Sequence, residues 1–309
     1  MPANTVATEG EVTFEADEAG KPCKTWYKIV GSLESGPPLV VLHGGPGAGH
    51  EYLLSLTDLH EKHGIPIIFY DQIGSGRSTH LREKKDDVTF WTFDLYVQEL
   101  DNLVHHLKLH ETGFYLLGQS WGGMFGSEYA IRRPKGLKKL VICGGPASIP
   151  LLIKGFETLI ANLPPDVRNT IEDCNRRGDY ASHEFEKAAA VFYARHVCRL
   201  DPYPPEVSAT FRNMKDDPTA YLTLKGPSEF VILGSFKRWE GWPKGHRIEV
   251  PTLLINGRYD EATDLCMEPW FRTIPKVRWV TLENSSHMGH WEDRDRFMQV
   301  CGRFLSSDQ

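Results

Sequence analysis

A short apolar run, Phe114 to Leu117, passes without interruption into Gly118-Gln-Ser-Trp-Gly122 and on into a stretch carrying Phe125, Tyr129 and Ala130 that Pro134 should stop. A serine between two glycines, where a strand hands over to a helix, has one physical use. Small residues at −2 and +2 let the backbone turn tightly and lift the hydroxyl off the end of the strand. The pentapeptide alone is a weak pattern, and its context makes it specific. It also restricts the fold, because a strand, a sharp turn and a returning helix are the repeating unit of a layered α/β sheet.

The rest of the chain obeys that restriction. Glu11–Ala16 alternates Val12, Phe14 and Ala16 on one face, and Thr25–Val30 follows as a second strand. Pro38–Leu42 and Ile65–Tyr70 are continuous apolar runs of the kind buried on both faces of a sheet. Phe90–Leu107 repeats Phe93, Tyr96, Val97, Leu100, Leu103, Val104 and Leu107 at helical spacing. Leu137–Cys143 is a strand. From Pro146 to Glu249 no buried strand is visible, only helical patterning broken by prolines. Alternation then resumes with strands at Val250–Ile255 and Val277–Leu282, and helices at Asp264–Thr273 and His290–Leu305. The prediction is a mostly parallel central sheet flanked by helices.

Composition narrows the function. The 309 residues can bury a large core without staples, and suggest either two domains or one domain with an insertion. The net charge of −6 argues against a nucleic-acid partner. No apolar run approaches the roughly 18–20 residues that cross a bilayer, so no membrane association is expected. The six cysteines show no C-x-x-C spacing and read as reduced, buried thiols. Met1 to Glu11 has neither a basic nor an apolar leader segment. A cytoplasmic protein is therefore expected, as a monomer or small homo-oligomer.

A serine hydroxyl needs a base, and the base needs a carboxylate to orient it. On this kind of sheet the order along the chain is nucleophile, acid, histidine. Asp260 follows the apolar strand Val250–Ile255, and His287 follows Val277–Leu282, so both fall at strand ends. Glu261 and Asp264 are rivals for the acid. Among thirteen histidines, His60, His63, His105, His106 and His110 lie on or near helices, and His290 begins the last one. The acyl-transfer oxyanion needs two backbone donors. They are expected from Trp121, next to the nucleophile, and from Gly45 in His43-Gly-Gly-Pro-Gly47, with Gly44 behind it. No nucleotide-cradling glycine motif and no metal-ligand spacing occurs, so neither cofactor nor metal is expected. Ser120 precedes the strand-poor stretch while Asp260 and His287 follow it. Both flanks must then form one sheet, with 146–249 inserted into it.

These segments together resemble the proline iminopeptidase family. His43-Gly-Gly-Pro-Gly47, Asp71-Gln-Ile-Gly-Ser-Gly-Arg-Ser78 and Gly118-Gln-Ser-Trp-Gly-Gly123 occur in the family's order, and the likeness covers about residues 11–305. The resemblance implies an α/β-hydrolase fold: residues 1–145 and 250–309 as catalytic domain, and a mainly helical cap, 146–249, inserted between the sixth and seventh strands. It implies a serine hydrolase with Ser120, Asp260 and His287 as the triad and Gly45 and Trp121 as oxyanion donors. Such an enzyme releases an N-terminal amino acid from short peptides or amino-acid amides. Glu229, in Gly226-Pro-Ser-Glu229, and Glu261 match the glutamates that hold the substrate's free α-amine in the branch similar to the tricorn-interacting aminopeptidase. Proline-specific bacterial members often carry Arg where Ile73 stands, which turns the likeness toward the broader aminopeptidase and amino-acid-amidase branch. An esterase, lactonase or amidase acting on a small secondary metabolite is the alternative. Trp239, Trp242, Phe156, Tyr203 and Phe230 are expected either to line an apolar acyl pocket or to pack the core of the inserted stretch.

Overall fold

The apolar runs that lack alternation become the middle of a single sheet. The computed structural model describes residues 7–307. Its strands are β1 (Ala7–Phe14), β2 (Cys23–Val30), β3 (Leu39–Leu42), β4 (Ile67–Tyr70), β5 (Phe114–Gln119), β6 (Leu137–Cys143), β7 (Thr252–Gly257) and β8 (Val277–Leu282). They lie side by side in the order β1-β2-β4-β3-β5-β6-β7-β8. β1 and β2 form an antiparallel hairpin, β2 pairs antiparallel with β4, and from β4 to β8 every pairing is parallel. Every residue of β3, β4 and β7 is buried, as strands covered on both faces require. The edge strand β8 is only partly covered.

Helices α1 (Thr57–His63), α2 (Phe93–His106), α3 (Leu109–Thr112) and α4 (Trp121–Ile131) belong to the first half of the sheet. Between β6 and β7 run α5 (Ile149–Ala161), α6 (Pro165–Arg177), α7 (His183–His196), α8 (Pro205–Asp216) and α9 (Thr219–Leu224). α10 (Asp264–Thr273), α11 (Gly289–Glu292) and α12 (Arg294–Ser306) complete the described chain. Local chemistry sets several of these starts. The side chains of Thr92, Ser148 and Ser182 accept the amides of Leu95, Leu151 and Phe185, satisfying donors that the first turn leaves free. α4 is buried on all sides and packs on β5, β6 and α2, so it shows no polar stripe. All six cysteines are buried and free. Among the described residues no helix is long and apolar enough to cross a membrane.

Several boundaries shift by two or three residues, as β7 does from Val250–Ile255 to Thr252–Gly257, and two differ for a reason the structure shows. The first strand covers Ala7–Phe14 rather than Glu11–Ala16, because its polar start is held by backbone pairing with Tyr27–Val30 of β2 and not by apolar alternation. The last helix, expected over His290–Leu305, is divided at Asp293, whose φ of −127° and ψ of 51° leave the helical region. The short α11 is anchored elsewhere: His290 Nε2 and Trp291 Nε1 both donate to the carbonyl of Tyr52, at 3.1 and 2.6 Å. Periodicity along the chain does not report such a tertiary anchor.

Candidate active site

The C-terminal ends of the parallel strands gather the predicted residues, as open α/β sheets do. At the end of β5, Ser120 takes φ 56° and ψ −122°, a strained conformation for a residue with a side chain. Its amide donates to Cys143 O at 2.8 Å, and its carbonyl accepts the amides of Gly123 and Met124 that begin α4. The flanking glycines are steric necessities. A Cβ on Gly118 would lie 2.0 Å from Gly122 O, and one on Gly122 would lie 2.2 Å from Leu42 O.

Asp260 follows β7. Its Oδ1 accepts the amide of Ala262 at 2.8 Å and His287 Nδ1 at 2.7 Å, while Oδ2 accepts the amide of Gly257 at 3.2 Å. Asp260 is 3% exposed and His287 6%. Burial pushes the His287 imidazole toward its neutral form. The Asp260 and Glu261 carboxylates outweigh that and raise its pKa to about 9. Two partners of this pair escaped the sequence reading. Gly144, at the end of β6 with φ +54°, leaves the space the ring occupies; a Cβ there would stand 2.8 Å from His287 Cε1 and Nδ1. His196, the last residue of α7, offers its carbonyl to the amides of Glu261 (3.1 Å) and His287 (3.3 Å), and its Nδ1 donates to Tyr259 O at 2.9 Å. The inserted stretch therefore ties the acid loop to the histidine loop.

The glycine loop after β3 approaches Ser120 from the other side. The amide of Gly44 is engaged by Tyr52 Oη at 2.7 Å, and Tyr52 Oη donates to Gln119 Oε1 at 2.6 Å. Gly45, at φ +104°, shares with Ser120, Trp121 and His287 the lining of one narrow pocket. His43 Nε2 accepts the amide of Gln72 at 2.9 Å, and the Gln72 side chain receives Trp121 Nε1 and donates to His43 O, both at 2.9 Å. Loop and elbow are thus one hydrogen-bonded body.

The two glutamates differ sharply. Glu261 lines the pocket and is 3% exposed; its Oε1 lies 3.7 Å from His287 Nε2, and its Oε2 is buried without a hydrogen-bond partner among the described residues. Burial, then the charge of Glu229, raises its pKa to about 8. Both oxygens of Glu229 are occupied: Oε1 by the Tyr221 hydroxyl at 2.9 Å, and Oε2 by the Lys225 ammonium. Burial would raise the Glu229 pKa, but the Lys225 charge outweighs it and holds the carboxyl below its ordinary value. Lys225, 4% exposed, is itself among the pocket-lining residues. The sequence carried a signal for it, since Lys225 stands four residues before Glu229, but composition and motif gave no reason to look there.

The apolar wall is built from Met124, Ile149, Leu152, Phe236 and Ala262. None of the five aromatics considered from sequence lines it. Phe156 and Phe230 pack on Phe192, Tyr203 on Phe211, and Trp239 on Phe93, while Trp242 Nε1 bonds Glu240. Of the rival groups, Asp264 accepts Asn256 Nδ2 at 2.8 Å, and burial depresses the pKa of His290 to about 3. His50, Glu51 and Asp71 bring one possible metal-ligand atom each within 4.8 Å of one another. There His50 Nδ1 donates to Asp71 Oδ1 at 2.9 Å, so the carboxylate already serves the fold.

The sequence profile of the alpha/beta hydrolase fold family matches residues 37–294. The proline iminopeptidase of Thermoplasma volcanium is 36% identical over 283 residues, which cover 92% of this chain and 93% of the relative. Among solved structures, VinJ superposes with a TM-score of 0.90 at 43% identity, covering 96% of this chain and 98% of the other. The proline iminopeptidase of Mycobacterium smegmatis superposes with a TM-score of 0.87 at 35% identity, covering 96% and 97%.

Proposed function

This chain belongs to the proline iminopeptidase family of α/β hydrolases, and from that premise we propose how its own residues release an N-terminal amino acid from a short peptide or amino-acid amide. Ser120 is the nucleophile, His287 the general base and Asp260 the carboxylate that fixes the ring's tautomer. Ser120 Oγ bonds to the carbonyl carbon as its proton passes to His287 Nε2. The amides of Gly45 and Trp121 receive the developing oxyanion. Collapse breaks the C–N bond, and the leaving amine takes the proton from His287. Water, deprotonated by the same ring, then hydrolyses the acyl-enzyme and restores Ser120.

The observation that carries this reading is the 2.7 Å His287–Asp260 hydrogen bond, in the pocket that a strained Ser120 also lines. Residues 1–145 and 250–309 act as the catalytic unit and 146–249 as its cap. Ile149, Leu152, Lys225 and Phe236 of that stretch close the pocket over the serine. The buried, unpartnered Oε2 of Glu261 supports recognition of the substrate's α-ammonium, since a cation entering a dry site needs an anionic acceptor.

The test pairs Ser120→Ala with two versions of one aminoacyl-naphthylamide, free and N-acetylated. The wild type is expected to prefer the free amine strongly. The folded variant is expected to lose turnover by about 10⁶-fold, as when the serine of a triad is removed. Turnover by Ser120→Ala at the wild-type rate would overturn the nucleophile. Equal turnover of the two substrates would favour an esterase, lactonase or amidase with idle glutamates.

A further inference from the structure

A lysine stands in the wall of the pocket that should admit one substrate ammonium. Lys225 lines it together with Ser120, His287 and Glu261, and its ammonium lies on Glu229 Oε2. The other Glu229 oxygen accepts the Tyr221 hydroxyl at 2.9 Å. Each oxygen of Glu229 thus already has a partner, and Glu229 is absent from the pocket lining. Glu261 is the reverse case: it lines the pocket and keeps a buried oxygen unpartnered.

We infer that Lys225 is a specificity-determining residue: it neutralises Glu229, so that the substrate's α-ammonium is received by Glu261 alone. The inference deepens the amine reading above and rests on it. The backbone fixes Lys225 in this role. Its amide donates to Tyr221 O at 2.8 Å, and its carbonyl accepts the amides of Leu233 and Gly234 at 2.8 and 2.7 Å. The four-carbon stem therefore starts from a pinned position at the end of α9, and the head group reaches Glu229 across the Gly226-Pro227 connection.

Charge balance makes the arrangement consequential. With Lys225 and Glu229 paired, the pocket's unpaired acceptor for a cation is the single carboxylate of Glu261, which one incoming ammonium neutralises. Remove the Glu229 charge alone, and Lys225 becomes an unpaired buried cation that shares the pocket lining with Glu261 and attracts its carboxylate. It then competes with the substrate for that carboxylate. The Glu229 charge should accordingly be indispensable only while Lys225 keeps its own, which a direct amine ligand at Glu229 would not allow.

The experiment compares kcat/KM for a free-amine aminoacyl-naphthylamide with kcat/KM for its N-acetylated form, with fluorophosphonate labelling of Ser120 reporting an intact site. In Glu229→Gln the free-to-blocked ratio is expected to fall about tenfold or more, the equivalent of at least ~1.4 kcal/mol of lost discrimination. In the Lys225→Met/Glu229→Gln double variant it is expected to return to within about threefold of wild type, because no charge is left unpaired. Glu261→Gln is expected to lose the preference. A double variant as defective as Glu229→Gln would overturn the inference and make Glu229 an amine ligand. A wild-type ratio near one would overturn the amine reading itself, and the inference with it. Should Glu229→Gln not fold, Lys225→Met alone decides. Freed of its partner, Glu229 should strengthen competitive inhibition by isopropylammonium about fivefold or more, through a second charge-assisted bond. An unchanged inhibition constant would overturn the inference.

Discussion

The amide of Gly44 donates to the hydroxyl of Tyr52 at 2.7 Å, and that hydroxyl donates onward to Gln119, the residue before Ser120. Gln119 Nε2 in turn donates to the carbonyl of His287 at 3.2 Å. One phenol thus joins the glycine loop after β3, the turn at Ser120 and the loop that carries His287. The backbone of Tyr52 adds two more ties, accepting from His290 and Trp291 and donating to Thr210 Oγ1 of α8 at 3.2 Å.

Tyr52→Phe leaves the Gly44 amide and Gln119 Oε1 buried without this partner, at a cost of about 1–3 kcal/mol in stability. The loop that carries Gly45 loses its brace, so kcat should fall about 10- to 100-fold with KM changed much less. Steady-state kinetics and thermal unfolding check both; a KM effect alone would contradict the positioning role.

Gly144→Ala tests the space beside the imidazole. The new methyl would meet the His287 ring at 2.8 Å, and φ +54° adds strain for any side chain. The ring must move off Asp260. A loss in kcat of about 10²-fold or more is expected, with slowed fluorophosphonate labelling of Ser120. Labelling at the wild-type rate would show that the ring is not displaced.

Glu261→Gln should alter the pH profile on a substrate that carries no amine. The Glu261 carboxylate favours the charged imidazole of His287, whose pKa lies at about 9. As the proposed base, His287 works only when neutral. Removing the carboxylate lets the ring lose its proton at lower pH, so the acid limb of kcat/KM for an N-acetylated ester should shift to lower pH. A shift to higher pH would contradict the assigned charge interaction.

Glu99 is fully buried between β2 and the loop after β4, accepting the Thr25 hydroxyl at 2.6 Å and the Ile73 amide at 2.9 Å. Burial raises its pKa from 4.5 to about 8. The folded state therefore holds this proton more tightly than the unfolded chain. Its contribution is complete below the unfolded value and is lost as pH rises toward the folded one, at up to about 1.4 kcal/mol per pH unit. Glu99→Gln has no such charge, so its thermal midpoint should fall less than that of the wild type between about pH 6 and about pH 9. Parallel curves would contradict the assignment.

Much of the fold was legible because burial on both faces leaves a continuous apolar run that needs no partner to be recognised. Leu39–Leu42 and Ile67–Tyr70 lie inside such runs, and periodicity likewise puts the strands Leu137–Cys143 and Val277–Leu282 and the helix Asp264–Thr273 where they are found. The strand-poor stretch between Pro146 and Glu249 holds α5 to α9 and, among the described residues, only isolated bridges. The Gly118-x-Ser120-x-Gly122 elbow was readable too, because its steric demand is local and the glycines touch backbone only a few residues away or on the adjacent strand. Asp260 and His287 could be placed at strand ends by chain order, although their 2.7 Å hydrogen bond spans 27 residues.

What the chain's order could not disclose is which charges meet. The sequence by itself determined a layered α/β sheet, a serine lifted from one strand end, and an acid and a histidine at later ones, since each follows from spacing and backbone sterics. Only the tertiary structure decided that Glu229 is closed by Lys225 while Glu261 stays open, that Gly144 makes room for the imidazole, and that Tyr52 links three loops. These are contacts between side chains brought together by the packing of the inserted stretch against the sheet, and electrostatics in a buried site depends on those distances rather than on position along the chain.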